Sequence, residues 1–472
     1  MVSFAGIGRM RCGVRGEVEV PARSRRASIV LQIGGARAIV PGGGSLRALK
    51  LRGGHDEGRN AARPKKDVGV TRSWIGLLVV ASFVFGFGNS SVSGRTQSAA
   101  GAASGGGPMP TLGASAGVAE RRVSRLRHGI NFSEWFQAGS DPQGLTKQHF
   151  DTAITDEDLG LIQAMGFDHV RLCINPAPMF RRGQADQIPA DYLGYLDAAV
   201  KMILAHGLAV EIDIHASGDF KHSLATDDGF VENFADFWRA LAQHFSSYDP
   251  ERVFFEILNE PETRDPYRWY GIEMKLAGAI RAGAPQHTII ATGARWSDDD
   301  DLLFLEPLRD ANVIYTFHFY ESHIFTHQGA TWGESWWHFL RAVPYPSDPE
   351  NVMSAADEIA DPVHRLQVVR YGTDRWNATR IDKEIVQAAD WSAHWGVPII
   401  CNEFGVYRKN ADAKDRAAWI SDVRTSLEKH GIGWAMWDYD GGFGVVTREN
   451  GRAVADEVTV RALGRTMASV KQ

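Results

Sequence analysis

From residue 127 onward, short apolar runs alternate with longer stretches in which apolar residues recur at helical spacing. The apolar runs predict strands at 127–132, 168–173, 208–214, 252–258, 287–292, 312–318, 397–402 and 431–437. The predicted helices lie at 155–165, 192–206, 231–245, 267–282, 300–308, 383–395, 413–430 and 456–470. Several strands are continuously apolar, as is typical of strands covered on both faces. The alternation predicts the α/β class and a (β/α)8 TIM barrel formed by residues 127–472 as one domain.

A doubly wound open sheet is the alternative fold for the same alternation. Such a sheet carries a glycine-rich phosphate-binding turn after its first strand, and Gly129-Ile130-Asn131-Phe132 is no such turn. The barrel is therefore preferred, and its active site is expected at the carboxyl ends of the strands.

The N-terminal part of the chain lacks this alternation. Residues 1–70 are rich in Gly and Arg and show no sustained periodicity, so we predict an unstructured segment or an extension upstream of the true start. Residues 71–100 contain an apolar run, 74–88, with a basic flank before it and small residues after it. This predicts a signal peptide or, alternatively, an uncleaved membrane anchor, followed by a Gly/Ala/Ser-rich linker at 101–126. The protein is expected to be secreted or periplasmic, with tethering by an uncleaved N-terminal anchor as the alternative.

Charge divides the chain in the same place. Of 51 Lys+Arg and 57 Asp+Glu, 20 and 6 lie in residues 1–127, which leaves 31 basic and 51 acidic residues for 128–472. This excess of acidic residues disfavours binding to nucleic acid and suits an enzyme or binding protein that acts on an uncharged substrate. The chain has three cysteines and no CxxC or Cys/His cluster, so we predict no disulfide framework, no metal and no cofactor. No obligate protein partner is evident.

Two strands end in the same unusual way. The runs 254–258 and 397–401 are each followed by an Asn-Glu pair, Asn259-Glu260 and Asn402-Glu403. An acid after a strand is often only a helix cap. Two poorly solvated carboxylates at one barrel mouth, however, are the minimal equipment for cleaving a glycosidic bond.

Other polar and aromatic residues are expected at the same strand ends. In chain order the set is Asn131, Arg171, His215, Asn259, Glu260, His318, Tyr320, Glu403 and Trp437. The order Arg, His, Asn-Glu-Pro, His-x-Tyr, Glu and Trp on successive strands resembles glycoside hydrolase family 5, the large cellulase family, and within it the bacterial endoglucanases.

This resemblance implies roles for the candidate residues. Glu260 would be the acid/base and Glu403 the nucleophile of a retaining double displacement, with their carboxyl groups about 5–5.5 Å apart. Glu260 would then need a raised pKa and a proton at the first step, while Glu403 stays ionised. The other implied substrate-binding contacts are Arg171 and Tyr320 to the nucleophile, Asn259 to the 2-hydroxyl, and His215, His318 and Trp437 to the sugar ring.

The segment 321–380, between the sixth and seventh strands, is longer than an ordinary βα loop. Its aromatic residues include His323, Phe325, His327, Trp332, Trp336, Trp337, Tyr345 and Trp376. We predict a wall on which sugar units stack, with Trp332 as a substrate-binding residue, although such a cluster can equally serve to pack the insertion. Trp135, Phe136 and Trp296 are expected to extend the stack.

The preferred function is therefore that of an exported endo-β-1,4-glucanase acting on a β-glucan polysaccharide. A β-mannanase or a β-1,3-glucan hydrolase on the same barrel is the alternative. More distant alternatives are a non-catalytic sugar-binding barrel and a metal-dependent barrel hydrolase. The latter would use histidines such as His215 and His318 as ligands, but no His-x-His pair follows the first strand.

Overall fold

The computed structural model describes residues 116–137 and 144–466 and, nearer the N-terminus, four short strands. These strands are β1 (Arg9–Cys12), β2 (Gly16–Glu19), β3 (Ser28–Ile33) and β4 (Ala36–Pro41). They pair antiparallel in that order, in a stretch for which the sequence predicts no regular structure. The remaining residues of 1–70, the predicted signal at 71–100 and the linker up to residue 115 lie outside the described residues, so those predictions stay predictions.

The second part of the chain forms a closed barrel of eight parallel strands. They are β5 (His128–Phe136), β6 (His169–Ile174), β7 (Ala209–Ile214), β8 (Val253–Glu256), β9 (Thr288–Thr292), β10 (Val313–Phe319), β11 (Ile399–Phe404) and β12 (Gly433–Met436). Each strand pairs with the next, and β12 pairs with β5. The predicted TIM barrel is confirmed.

Helices lie between the barrel strands and around them. Their bounds are α1 (Ala116–Arg122), α2 (Lys147–Thr152), α3 (Asp156–Ala164), α4 (Ala190–Ala205), α5 (Gly218–Thr226), α6 (Asp228–Phe245), α7 (Pro266–Gly283), α8 (Asp299–Leu302), α9 (His323–Thr326), α10 (Met353–Asp357), α11 (Pro362–Asp374), α12 (Ala378–Trp395), α13 (Ala413–Lys429) and α14 (Glu457–Ala462). A hairpin of β13 (Val446–Glu449) and β14 (Arg452–Ala455) follows β12. Within the described ranges, no helix is both long enough and apolar enough to cross a membrane.

Helix α1 changes the predicted start of the folded domain. Ala119 of this helix and Leu126, just after it, are buried in a cluster with inward-facing strand residues such as Phe254. Arg122 pairs with Glu251 at 2.9 Å and donates a hydrogen bond to a backbone carbonyl. The prediction of a linker reaching residue 126 is therefore wrong for 116–126, because this segment carries apolar side chains that the barrel buries.

The insertion after β10 is fixed to the loop that follows β11. The backbone N–H of Tyr407 donates to the Thr326 carbonyl at 2.8 Å, and the Asn410 side chain donates to the Leu340 carbonyl at 2.7 Å. Two neighbouring strand ends thus support the insertion beside the barrel mouth.

Candidate active site

Glu260, His318 and Glu403 converge at the carboxyl end of the barrel. A carboxylate oxygen of each glutamate and a ring nitrogen of His318 lie within 4.8 Å of one another. Glu403 is part of β11, whereas Glu260 comes four residues after the end of β8. The intervening backbone stays ordered because Asn259 donates its N–H to the Ile214 carbonyl at 3.0 Å. Two residues 143 positions apart in the chain are thereby brought face to face.

Glu403 is enclosed by hydrogen-bond donors. Its side chain accepts from Arg171 Nη1 at 2.5 Å and from the Tyr320 hydroxyl at 2.9 Å, and the residue is 3% exposed. Burial and the neighbouring Glu403 carboxylate hold the pKa of Tyr320 well above its usual value, so the phenol keeps its proton and remains a donor. These two donors fix the direction of the Glu403 carboxylate.

Arg171 is itself held by acids on the next two strands. Its guanidinium forms two hydrogen bonds with Glu256, at 2.6 and 2.8 Å, and lies 3.2 Å from Asp213. It also donates to the Asn131 side chain at 2.9 Å. A bidentate pair fixes both the position and the plane of the guanidinium, so the contact from Arg171 to Glu403 is set from inside the barrel.

Glu260 has different neighbours. Its Oε1 is 3.2 Å from His318 Nδ1, its Oε2 is 4.0 Å from the ammonium of Lys221, and 28% of its side chain is exposed. Burial alone would raise the pKa of Glu260, but the hydrogen bond from His318 and the charges of His318 and Lys221 lower it to about 2. The prediction of a raised pKa for Glu260 is therefore wrong in the substrate-free site.

The imidazole of His318 is the main cause of the lowered pKa of Glu260. Burial alone would lower the pKa of its imidazole, but the carboxylates of Glu403 and Glu260 raise it above the usual value. His318 Nδ1 faces both acids, at 3.2 Å from Glu260 and 3.5 Å from Glu403. The ring is therefore the group that carries the proton in the substrate-free site, within hydrogen-bond distance of Glu260.

Asn259, His215 and Trp437 form a connected set beside Glu260. Asn259 accepts from Arg171 Nη2 at 2.8 Å and donates to His215 Nε2 at 3.1 Å. The His215 ring stacks on Trp437 with centroids 5.5 Å apart. Burial lowers the pKa of His215 to about 3, so its ring is neutral and accepts the hydrogen bond from Asn259. Their predicted sugar contacts stay predictions.

Comparison with known proteins decides the family. The model of the family described as cellulase, glycosyl hydrolase family 5, matches residues 136–442. Endoglucanase C from Acetivibrio thermocellus is 31% identical over 66% of this chain and 91% of the relative. The chain belongs to glycosyl hydrolase family 5. The resemblance seen in the strand-end residues is confirmed, and the protein is a cellulase-type glycosyl hydrolase.

Solved structures agree with the assignment to family 5. Endoglucanase Cel5A from the hyperthermophile Thermotoga maritima is 28% identical to this chain, with a TM-score of 0.60, over 73% of this chain and 98% of that one. The Cel5A structure in complex with mannotriose is 27% identical, with a TM-score of 0.59, over 73% and 99%. Both neighbours support the fold and the hydrolase class of this family 5 enzyme.

Trp332 is the insertion residue best placed to meet a substrate of the family 5 enzyme. It is 46% exposed and packs edge-on against Tyr407, with centroids 4.7 Å apart. Ring contacts through Phe443, at 6.3 and 6.0 Å, connect it to Tyr320, which binds Glu403. An exposed indole fixed in this way presents a flat face on the side of the site where Tyr320 lies.

Most other predicted platform residues serve packing instead. Trp135 is 2% exposed and donates its indole N–H to the Phe150 carbonyl at 3.1 Å. The prediction that it binds substrate is wrong, because its ring belongs to the core beside Phe132. The same correction applies to other buried members of the predicted stack, namely Phe136, Phe325, Trp336, Tyr345 and Trp376. Trp296, in contrast, is exposed, and its backbone N–H donates to the carbonyl of Pro261, next to Glu260.

Two clusters in the described residues bring three potential metal ligands within 4.8 Å of one another. They are Glu260, His318 and Glu403, and Cys173, Asp213 and His215. The acids of the first set already face the cations of Arg171 and Lys221. In the second set, burial holds the pKa of the Cys173 thiol well above its usual value, and Asp213 faces Arg171. Because these donors keep a proton or are engaged by protein cations, neither set fits a metal ion well.

Sequence reasoning missed Glu211, Asp213, Glu256 and Lys221. In β7, Glu211 and Asp213 occupy every second position of an otherwise apolar strand. Because strand side chains alternate between faces, this spacing places both acids in the barrel interior. That period of two is the signal that would have identified them. Lys221 carries a weaker signal, a cation between the apolar residues of the short helix α5.

Proposed function

We propose that this family 5 enzyme is an exported endoglucanase that cleaves internal β-1,4-glucosidic bonds of cellulose or a related β-glucan and retains the anomeric configuration. The approach of Glu260 and Glu403, with oxygens within 4.8 Å, carries the mechanistic part of the proposal. Retaining enzymes hold their carboxyl groups about 5–5.5 Å apart, whereas inverting enzymes leave about 6.5–9.5 Å for a water molecule.

In the first step, a Glu403 oxygen attacks the anomeric carbon and the bond to the leaving oxygen breaks. Glu260 gives a proton to that oxygen, so the leaving sugar departs as a neutral alcohol. Arg171 and Tyr320 keep Glu403 ionised and aimed before the attack. The proton for Glu260 comes from His318, whose Nδ1 lies 3.2 Å away.

In the second step, Glu260 acts as base. Its carboxylate takes a proton from water while the water oxygen attacks the anomeric carbon, and the bond to Glu403 breaks. Glu403 leaves as a carboxylate, and the donors on Arg171 and Tyr320 stabilise the charge that returns to it.

The substrate assignment draws on the relatives and on the cleft. Endoglucanase C and Endoglucanase 3 of Fibrobacter succinogenes are named for cleavage of glucans, and the latter is 27% identical over 73% of this chain and 53% of the relative. Trp332, exposed beside the catalytic pair, suits stacking on a pyranose face. Mannan is the second candidate substrate, because a structural neighbour was solved with mannotriose.

The decisive experiment combines a substrate panel with product analysis. We expect faster hydrolysis of carboxymethylcellulose than of mannan, xyloglucan or laminarin. Proton NMR of a cello-oligosaccharide digest should show the β-anomer first, before mutarotation. Initial release of the α-anomer would contradict the retaining mechanism, and a clear preference for mannan would replace the proposed substrate.

Export is the remaining part of the proposal. It rests on the basic flank and apolar run within residues 71–100. N-terminal sequencing of the natural protein is expected to show a mature chain that begins after this run. A chain that retains the run in a membrane fraction would indicate the tethered form, and a mature form that keeps Cys12 would contradict the upstream extension.

A further inference from the structure

Lys221 is a buried cation beside the proposed acid/base. It lies on α5, in the loop region after β7, and is 6% exposed. Its Nζ is 3.6 Å from Glu262 Oε1 and 4.0 Å from Glu260 Oε2. Removing an ammonium group from water is costly unless anionic groups compensate it, so these two carboxylates stabilise the position of Lys221.

The placement of Lys221 follows from the local fold. Ser217 caps α5 by accepting a hydrogen bond from the Phe220 N–H, and Leu224 on the same helix is buried. Residues three apart on a helix share a face, so the buried side of Leu224 turns Lys221 inward as well. Helix α5 therefore directs Lys221 toward the Glu260 loop.

The two oxygens of Glu260 thus face different cations. Oε1 faces His318 and Oε2 faces Lys221, so the proton and the lysine charge act on opposite sides of one carboxylate. The other titratable groups that interact with Glu260 are His215, Tyr320, His323 and His327, while Glu403 interacts with His318 and Glu262 with Lys221. Lys221 faces the Glu260 carboxylate directly and has no role in the mechanism above.

We propose that Lys221 is a positioning residue that holds the Glu260 carboxylate ionised in the substrate-free enzyme, so that the acid proton rests on His318, and that it thereby sets the upper pH limit of the first step. This inference rests on the proposed role of Glu260 as acid/base. The step itself is a proton transfer. His318 Nδ1 gives its proton to Glu260 Oε1 and both groups become neutral, after which Glu260 passes the proton to the leaving oxygen.

The sign of the effect follows from electrostatics. The positive charge of Lys221 disfavours a proton anywhere on the Glu260 and His318 pair, and it disfavours one on the nearer Glu260 most. Removing that charge makes the pair hold its proton to higher pH. The alkaline limb of kcat/KM reports loss of this proton from the free enzyme, so the limb should move upward.

The test compares Lys221→Met with Lys221→Arg on an unactivated cello-oligosaccharide. We expect the alkaline limb of Lys221→Met to rise by about one pH unit, the lower end of the shift caused by an opposite charge at this distance. Lys221→Arg, which keeps the charge, should stay close to the wild type. Lys275→Met is the matched control, because Lys275 lies on the exposed side of α7 and pairs there with Glu232 of α6.

A second readout does not depend on activity. At neutral pH, the nitrogen-15 NMR signals of His318, assigned by their loss in His318→Gln, should be those of an imidazolium in the wild type. In Lys221→Met the pH at which these signals change to those of a neutral ring should rise together with the alkaline limb, because the Glu260 and His318 pair keeps its proton to higher pH. An unchanged pH limb together with unchanged His318 signals would overturn the inference.

Two further variants keep the test decisive. Glu262→Gln removes a negative charge and should move the alkaline limb downward, so it tests the same electrostatics if Lys221→Met fails to fold. An unchanged limb in Glu262→Gln would then overturn the inference. Glu260→Gln separates the two proposals. Normal hydrolysis by this variant would contradict the acid/base role of Glu260. If Glu260→Gln is inactive but the alkaline limb of Lys221→Met is unchanged, only the role of Lys221 is contradicted.

Discussion

Glu403 and Glu260 stand on the same rim of the barrel, but their surroundings differ. The Glu403 side chain is 5% exposed and bound by Arg171 and Tyr320, whereas the Glu260 side chain is 28% exposed and faces His318 and Lys221. A carboxylate enclosed by fixed donors stays charged and aimed. One that is partly open and borders a titratable ring can exchange a proton with a leaving group and with water. The two environments match a nucleophile and an acid/base.

The largest expected effect is that of Glu403→Gln, which removes the nucleophile and keeps its shape. Activity on every substrate should fall by about 10,000-fold or more, because no other group can form the covalent intermediate. Rates on both a cello-oligosaccharide and an aryl cellobioside check this. The fold should persist, since Arg171 keeps its contacts with Glu256 and Asp213. Near-normal turnover by Glu403→Gln would contradict the proposed role of Glu403 as nucleophile.

Glu260→Gln should show an effect that depends on the leaving group. With a cello-oligosaccharide, loss of the general acid should cost about 100-fold to 10,000-fold in kcat/KM. With a dinitrophenyl cellobioside, whose leaving group needs no proton, kcat/KM should change little. Equal losses on the two substrates would show that Glu260 does not act through proton transfer.

Tyr320→Phe isolates one donor of the enclosed carboxylate. A hydrogen bond to a charged group is worth about 1.5–3 kcal/mol, so kcat/KM should fall by about 10-fold to 100-fold on all substrates. Tyr315→Phe is the matched control, because Tyr315 lies in β10, which ends just before Tyr320, and its hydroxyl accepts from the Leu308 N–H instead of contacting Glu403. Tyr315→Phe should lower the Tm and leave kcat unchanged. Equal kinetic losses in both variants would indicate a general packing effect.

The smallest expected effect concerns the cleft wall. Trp332→Ala should raise KM for a long cello-oligosaccharide about fivefold, which corresponds to about 1 kcal/mol of stacking, with little change in kcat. Trp135→Phe should show the opposite pattern, a lower Tm with an unchanged KM, because it loses a buried hydrogen bond to Phe150. A raised KM in Trp135→Phe alone would reverse the assignment of the two tryptophans.

Much of the fold was predictable because the barrel strands and helices follow from the local spacing of apolar and polar residues. The eight apolar runs correspond to β5 to β12 to within a few residues at each end. The start of the domain was not predictable in this way. Helix α1 lies in a segment whose composition resembles a linker, and its burial depends on the Phe254 cluster, which forms only when the barrel closes. Helix α8 is shorter than predicted and ends at Leu302.

The candidate site also has features that the sequence predicts and features that it cannot predict. Glu260, Glu403 and Arg171 were predictable because strand ends of a barrel meet at one rim. The exposure of Trp332 and the burial of Trp135 were not, because side-chain burial depends on tertiary packing, and Trp135 lies near the end of β5 whereas Trp332 lies in the insertion after β10. The lowered pKa of Glu260 was also beyond the sequence, because it depends on His318 and on Lys221, and the approach of Lys221 requires α5 to pack against the Glu260 loop.

The pairing of Arg171 with Glu256 has a consequence for how such enzymes can diversify. Both residues belong to strands, so the charge that fixes Glu403 is anchored in the part of the barrel that closure constrains most. Trp332, in contrast, lies in an insertion. The preference for one polymer can therefore change when peripheral segments are exchanged, while the strands keep the residues that position Glu403.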